Sequence, residues 1–116
     1  MSLAKKLNLK EGTKMRVIGK PSAVDLDDVA TTTSAKAGAV LVFVKTLADV
    51  DEQCAPAVAA AREDGIAWVA YPKAGQLATD LNRDVLWRKL TPEGVRGVRL
   101  ISIDEVWSAM RFRPET

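Results

Sequence analysis

The chain has 116 residues, of which 47% are hydrophobic and 28% charged, and this predicts a single folded domain over 1–116. It contains no histidine and one cysteine, which excludes a catalytic triad with a histidine base, a Cys/His zinc site and an internal disulfide. The net charge of +2 is too small to indicate nucleic acid, although residues 1–24 carry +5, residues 25–64 carry −5 and residues 65–116 carry +2.

Four apolar runs mark the predicted parallel strands, at 15–18, 39–44, 66–71 and 98–103. Runs of this kind are typical of strands that are buried on both faces, in a parallel sheet covered by helices. Residues 1–13 precede them and are interpreted as a short N-terminal helix and lead-in. Between the first two runs the chain is polar and rich in threonine, and residues 29–33 predict a short edge strand. No full helix can be placed within 20–37 from this pattern.

Helical patterns connect the later strands. A stripe of apolar residues over 47–64 predicts a helix that Thr46 caps and Gly65 ends, and Pro56 predicts a kink or two shorter helices. Its single thiol, Cys54, falls on the apolar stripe and is expected to be buried.

A second helix is predicted over 83–90. Asn82 is placed to cap it, Leu81 and Leu86 are spaced as a hydrophobic staple, and the residues at 91–94 end it.

The last predicted strand, at 107–113, follows the fourth run after only three residues, so it must run antiparallel to that strand. The predicted fold is therefore a small three-layer, Rossmann-like α/β domain with a mostly parallel sheet and an antiparallel C-terminal strand. Crossovers between its parallel strands should be right-handed.

Three segments, at 68–73 (Trp-Val-Ala-Tyr-Pro-Lys), 79–81 (Thr-Asp-Leu) and 104–112, resemble a bacterial family designated domain of unknown function 3052. The resemblance extends from about residue 3 to residue 112, and it implies a short helix, a glycine and a first strand that begins Met-Arg-Val. The chain departs from that family between residues 19 and 37, where a longer and more helical segment is expected. The family has no assigned activity, so the resemblance implies a fold and no function.

The order of elements also resembles the latter half of class I methyltransferases. The residues after the first strand, Gly19-Lys20-Pro21-Ser22, do not match G-x-G-x-x-G, the turn that brings the backbone close to a dinucleotide or adenosyl group. No cofactor is therefore predicted, and no metal.

The carboxyl ends of parallel strands are where open α/β sheets bind ligands. The candidate ligand-binding residues at these ends are Lys20, Lys45, Thr46, Tyr71, Lys73, Asp104 and Glu105. Together they could form a pocket for an anion or for acid–base chemistry; alternatively, the lysines are solvent-facing strand ends. One of the two neighbouring carboxylates could act as a general base, or the pair could cap a tight turn.

A second candidate site lies on the last strand, where alternation places Trp107 and Arg111 on one face together with Arg113. An indole and guanidinium groups could bind a carboxylate or phosphate of a partner. The alternative is an edge strand that is protected by its charges.

These patterns favour a binding protein for a ligand or partner, such as an anionic small molecule, over an enzyme. Two alternatives are a homodimer that pairs through an edge strand or an uncovered helix, and either a minimal enzyme acting on an anionic small molecule or a degenerate methyltransferase-like protein. The longest apolar run is too short to cross a bilayer and no signal peptide opens the chain, so a cytoplasmic protein without a membrane partner is expected. Nucleic acid is disfavoured as a partner.

Overall fold

The computed structural model describes residues 3–10, 12–26, 29–34, 37–73, 75–77 and 79–115. Its elements are, in chain order, α1 (Leu3–Lys6), β1 (Met15–Ile18), β2 (Thr31–Thr32), β3 (Ala39–Phe43), α2 (Leu47–Gln53), α3 (Ala55–Arg62), β4 (Ile66–Pro72), α4 (Arg83–Leu90), a 3-10 turn (Thr91–Glu93), β5 (Val95–Ser102) and β6 (Trp107–Pro114).

The strands form one mixed sheet in the order β2-β1-β3-β4-β6-β5. Strands β1 to β4 pair in parallel, while β6 runs antiparallel to both β4 and β5, so β6 alone opposes the other five. This confirms the predicted α/β class, with its mostly parallel sheet and antiparallel C-terminal strand. The predicted edge strand at 29–33 is present as the two residues of β2.

The place of β6 overturns two expectations. It lies between β4 and β5, so it is not an edge strand, and β5 forms the edge of the sheet instead. The run at 98–103 was expected to be buried on both faces, and this is wrong, because Val98 and Leu100 are 39% and 46% exposed. Because β5 has one neighbouring strand among those described, these two side chains remain partly in solvent.

The two faces of the sheet are covered differently. Helices α2, α3 and α4 pack on the face that we term the helical face, through side chains such as Val58 and Leu86. The opposite face, here termed the N-terminal face, is covered by α1 and by the chain between β1 and β2, through Leu7 and Leu26 among others. The second outer layer of the three-layer fold is thus one helical turn and irregular chain.

The helix boundaries follow the predicted signals. The Thr46 side chain accepts a hydrogen bond from the Asp49 amide (3.3 Å), and the helical run is divided at Cys54 because Pro56, near the start of α3, cannot donate a backbone hydrogen bond. Asn82 Oδ1 accepts a hydrogen bond from the Val85 amide (2.9 Å) and caps α4. Both predicted helices therefore start where their capping residues indicate.

The connection after β1 is tightly packed. Gly19 has a φ of +74°, and a Cβ at this position would lie 2.9 Å from both the Phe43 carbonyl oxygen and Gln53 Oε1. Within 19–34, the residues that the structure describes contain no helix, in keeping with the absence of a predicted one.

Candidate functional site

The parallel strands bring the predicted ligand-binding residues to one edge of the sheet. Lys20 follows β1, Lys45 and Thr46 follow β3, Lys73 follows β4, and Asp104 lies just beyond β5. Their side chains, however, make separate local contacts and do not form one cluster.

Three side chains already occupy the start of α2. Asp80 Oδ1 accepts a hydrogen bond from the Leu47 amide (2.9 Å), Thr46 Oγ1 accepts one from the Asp49 amide, and Asp49 Oδ2 accepts one from the Lys45 amide (3.0 Å). These backbone donors are the ones that an anion at the helix start would use. The carboxylates of this chain therefore take the place of a bound anion, and the Lys45 side chain is left exposed.

Lys73 makes its contact at the end of β5. Its Nζ donates to Ser102 Oγ (2.8 Å), and that hydroxyl donates to the Asp104 carbonyl oxygen (3.0 Å). Lys6 of α1 donates to the Ser102 carbonyl oxygen (3.3 Å) from the same region. Sequence reasoning missed Ser102 and Lys6, because only the pairing of distant segments brings the two lysines to one serine.

Asp104 closes the turn between β5 and β6. Its Oδ1 accepts hydrogen bonds from the amides of Val106 and Trp107, both at 2.8 Å, while Glu105 is exposed. Tyr71 is 4% exposed, and burial raises the pKa of its hydroxyl. The geometry matches the turn-capping alternative for Asp104, and in the part of the chain that the structure describes neither carboxylate forms an ion pair with Lys73.

A shallow groove of about 490 Å³ lies at the same edge, beside β1 and β2. Val17, Lys20 and the threonines at 31–33 line it. The Lys20 ammonium donates to the carbonyl oxygens of Val24 (2.7 Å) and Pro21 (3.1 Å), which fixes its position.

The second predicted pair, Trp107 and Arg111, is not brought together. The Trp107 ring is buried edge-on against Phe43, with ring centroids 5.2 Å apart, whereas Arg111 lies two side chains further along the same face, opposite Trp68 of β4 and Arg99 of β5. Because β6 is internal, the alternative of a charge-protected edge strand does not hold for it.

Four arginines nevertheless share the N-terminal face of β5 and β6. Arg96 lies opposite Arg113, and Arg99 lies opposite Arg111. A register shift between Gly97 and Arg99 leaves Val98 as an extra residue, and this bulge returns Arg99 to the same face as Arg96. We term this group, Arg96, Arg99, Arg111 and Arg113, the arginine surface.

Asp64 is the one carboxylate that pairs with the arginine surface among the described residues. It accepts two hydrogen bonds from Arg113, at 2.9 and 3.0 Å, and these hold the pKa of the Asp64 carboxyl below its usual range. The same contact raises the pKa of Arg113, while burial lowers that of Arg111. Arg111 Nε is buried and has no hydrogen-bond partner within the described residues; the Asp64 charge acts on Arg111 without forming an ion pair with it.

The fold and these regions define a small α/β protein with an open, mostly parallel sheet, a carboxyl edge at which the chain's own side chains occupy the start of α2, and an arginine surface. No protein-family model matches the chain, and no curated protein matches it. The described residues include no cluster of three or more Asp, Glu, Cys or His side chains suited to a metal ion, and no helix among them is long and apolar enough to span a membrane.

Proposed function

We propose that this protein is a binding module that recognises an acidic segment of another protein through the arginine surface. One observation carries the proposal: four guanidinium groups share one sheet face, and among the described residues only Asp64 pairs with them. Side chains directly opposite each other in antiparallel strands are close, so like charges there repel one another. Positive charge that the fold leaves unneutralised attracts anionic groups.

The existing ion pair indicates how a partner's carboxylate would bind. A guanidinium donates two parallel hydrogen bonds to a carboxylate, and Arg113 does so with Asp64. Arg99 and Arg111 lie beside that pair and form no ion pair in the described part of the chain. They are the two members that we expect to hold the partner's carboxylates.

The size of the surface supports an acidic peptide over nucleic acid. Successive side chains on one strand face are about 7 Å apart and neighbouring strands about 5 Å apart, so the four arginines face only a few anionic groups at once. Proteins that bind duplex DNA commonly contact about six to ten phosphates. The aromatic rings on this face, those of Phe43, Trp68 and Trp107, are buried and cannot stack on a base.

A binding measurement with a labelled peptide of eight glutamates tests the proposal. We expect binding that weakens with salt and falls about tenfold or more in the Arg99→Gln, Arg111→Gln double variant, because each charge-assisted hydrogen bond contributes about 1.5–3 kcal/mol. The matched control is Lys45→Gln with Arg88→Gln, which removes the same charge elsewhere and should leave binding nearly unchanged. No binding, equal loss in both variants, or preference for a DNA duplex over the peptide would overturn the proposal.

The groove beside Lys20 supports a second candidate function, the binding of a small anionic ligand. Its position at the carboxyl ends of β1 and β2, with a fixed ammonium and three threonine hydroxyls, carries this candidate. We expect phosphate or adenosine monophosphate to raise the melting temperature of the protein, and Lys20→Met to abolish the rise. No rise with either compound would overturn it.

A further inference from the structure

We propose that the acidic segment binds as an added strand along the outer edge of β5, with glutamate or aspartate alternating with apolar residues. This inference rests on the proposed function and specifies the partner's conformation and sequence pattern. Three features carry it: a free strand edge, the arginine surface on one side of that edge, and an apolar groove on the other.

The outer edge of β5 lies at the end of the sheet, and the strand is exposed over most of its length between the buried Val95 and the exposed Ser102. Among the strands that the structure describes, β6 is its single neighbour, so the backbone groups on the outer side have no strand partner. Five of the eight residues are exposed, among them Leu100, which is 46% exposed. Such an edge is a template for an extended peptide, whose main chain supplies the hydrogen bonds of one further strand.

The helical face beside β5 carries the apolar groove. Its volume is about 260 Å³; Trp87, Leu100 and Met110 contribute apolar walls, and Arg83 and Arg99 also line it. The floor of the groove is tightly packed at Gly97, where a Cβ would lie 2.7 Å from Met110 Sδ and 3.8 Å from the Trp87 ring. Trp87 and Leu100 are 43% and 46% exposed, so their apolar surfaces are available to a partner.

The two faces beside the β5 edge favour different side chains in the bound segment: acidic ones on the N-terminal face and apolar ones on the helical face. Side chains of an added strand point alternately to the two faces of the sheet. Those on the N-terminal face would lie beside Arg96 and Arg99, and those on the helical face would lie beside Trp87 and Leu100. A segment that alternates acidic and apolar residues fits both sides.

Charge argues for a different protein as the occupant instead of a second copy of this chain. If two copies paired through β5, Arg96 and Arg99 of one copy would lie on the same edge as those of the other. β5 contains no acidic residue to offset them. An acidic strand converts the same repulsion into attraction.

Two peptides of identical composition test the inference. One alternates four glutamates with valine and leucine, and the other places the four glutamates before the apolar residues. Strand addition predicts that the alternating peptide binds about tenfold more tightly, since only it presents each residue type to the matching face. Equal affinities would overturn strand addition and leave the proposed function intact, whereas no binding of either peptide would overturn both.

Matched leucine variants locate the contact. Leu100→Gln should weaken binding of the alternating peptide about fivefold to tenfold through lost apolar burial, and it should leave the block peptide unchanged. Leu77→Gln removes a leucine of similar exposure (45%) in the loop after β4 and should change neither affinity. Equal effects of the two leucine variants on peptide binding would contradict the inference. So would a dimer that forms through β5 pairing and is detected by sedimentation without peptide.

Discussion

The Cys54 thiol lies in the core where α2 meets α3, and it is 2% exposed. Burial raises its pKa from 9.0 to about 12, and the nearby charges of Asp49 and Asp51 add to the effect. The folded state therefore retains a proton that the unfolded chain loses above pH 9, and the buried, protonated thiol is a poor nucleophile.

This pKa predicts the alkaline stability of the protein. Its contribution is complete below pH 9.0 and is lost as the pH rises toward about 12, because only the unfolded state releases the proton in that interval. We expect the free energy of unfolding to fall by up to about 1.4 kcal/mol per pH unit more in the wild type than in Cys54→Ala. Urea denaturation of both proteins between pH 8 and pH 11 measures this; parallel curves would contradict it.

Gly19 is the residue that the close packing of β1 against β3 requires. In Gly19→Ala the new Cβ meets a fixed carbonyl oxygen while φ stays positive, so we expect a loss of about 3 kcal/mol. Gly75 has a similar φ of +82° with nothing within 4 Å, and Gly75→Ala should cost about 1 kcal/mol, the conformational strain alone. Urea denaturation compares the free energies of unfolding of the two variants. Equal losses of stability would show that the contact of the new Cβ at position 19 is unimportant.

Individual residues also show why the arginine surface could not be predicted. Arg96 and Arg99 are three positions apart, which in a regular strand places them on opposite faces. The bulge at Val98 reverses this, and no residue pattern near it, apart from Gly97, signals a bulge. Arg111 was a candidate because alternation on β6 is regular, whereas its partners on β5 depend on a register that only the folded sheet defines.

Among the elements, α4 depends most visibly on its cap. Asn82→Ala removes the acceptor for the Val85 amide and should lower the free energy of unfolding by about 1 kcal/mol, while Asn82→Asp should change it by only a few tenths. Denaturant unfolding with both variants checks this. A loss of similar size in both would indicate that the amide group, not the capping oxygen, matters.

The elements divide clearly by how far the sequence determines them. β3 and β4 were predicted because continuous apolar runs occur only where both faces are covered, and β3 is buried throughout. The place of β6 was not predicted, since a three-residue turn determines that β6 is antiparallel to β5 but not on which side of it β6 pairs. The carboxyl edge was predicted as a location, whereas its occupation by Asp80 depends on contacts between residues 33 positions apart.

Across the whole molecule, the protection of backbone amides from hydrogen exchange should decrease from the central strands of the sheet to its edge strands. The amides of β3 and β4 are enclosed by neighbouring strands and buried side chains, so we expect them to exchange with solvent hydrogen only on global unfolding. The amides of β2 and β5 should exchange through local opening, at least about tenfold faster. Hydrogen exchange measured by mass spectrometry tests this, and β5 protection equal to that of β3 would contradict it.

The insertion of β6 between β4 and β5 also orders events during synthesis. β5 leaves the ribosome before β6. It cannot pair with β4 at that stage, because β6, the strand that lies between them in the sheet, has not yet been synthesised. Until residue 114 emerges, the nascent chain exposes one side of β4 and all of β5, an interval in which unpaired strands are prone to aggregate or to engage chaperones. One late segment thus completes half of the sheet in a single step.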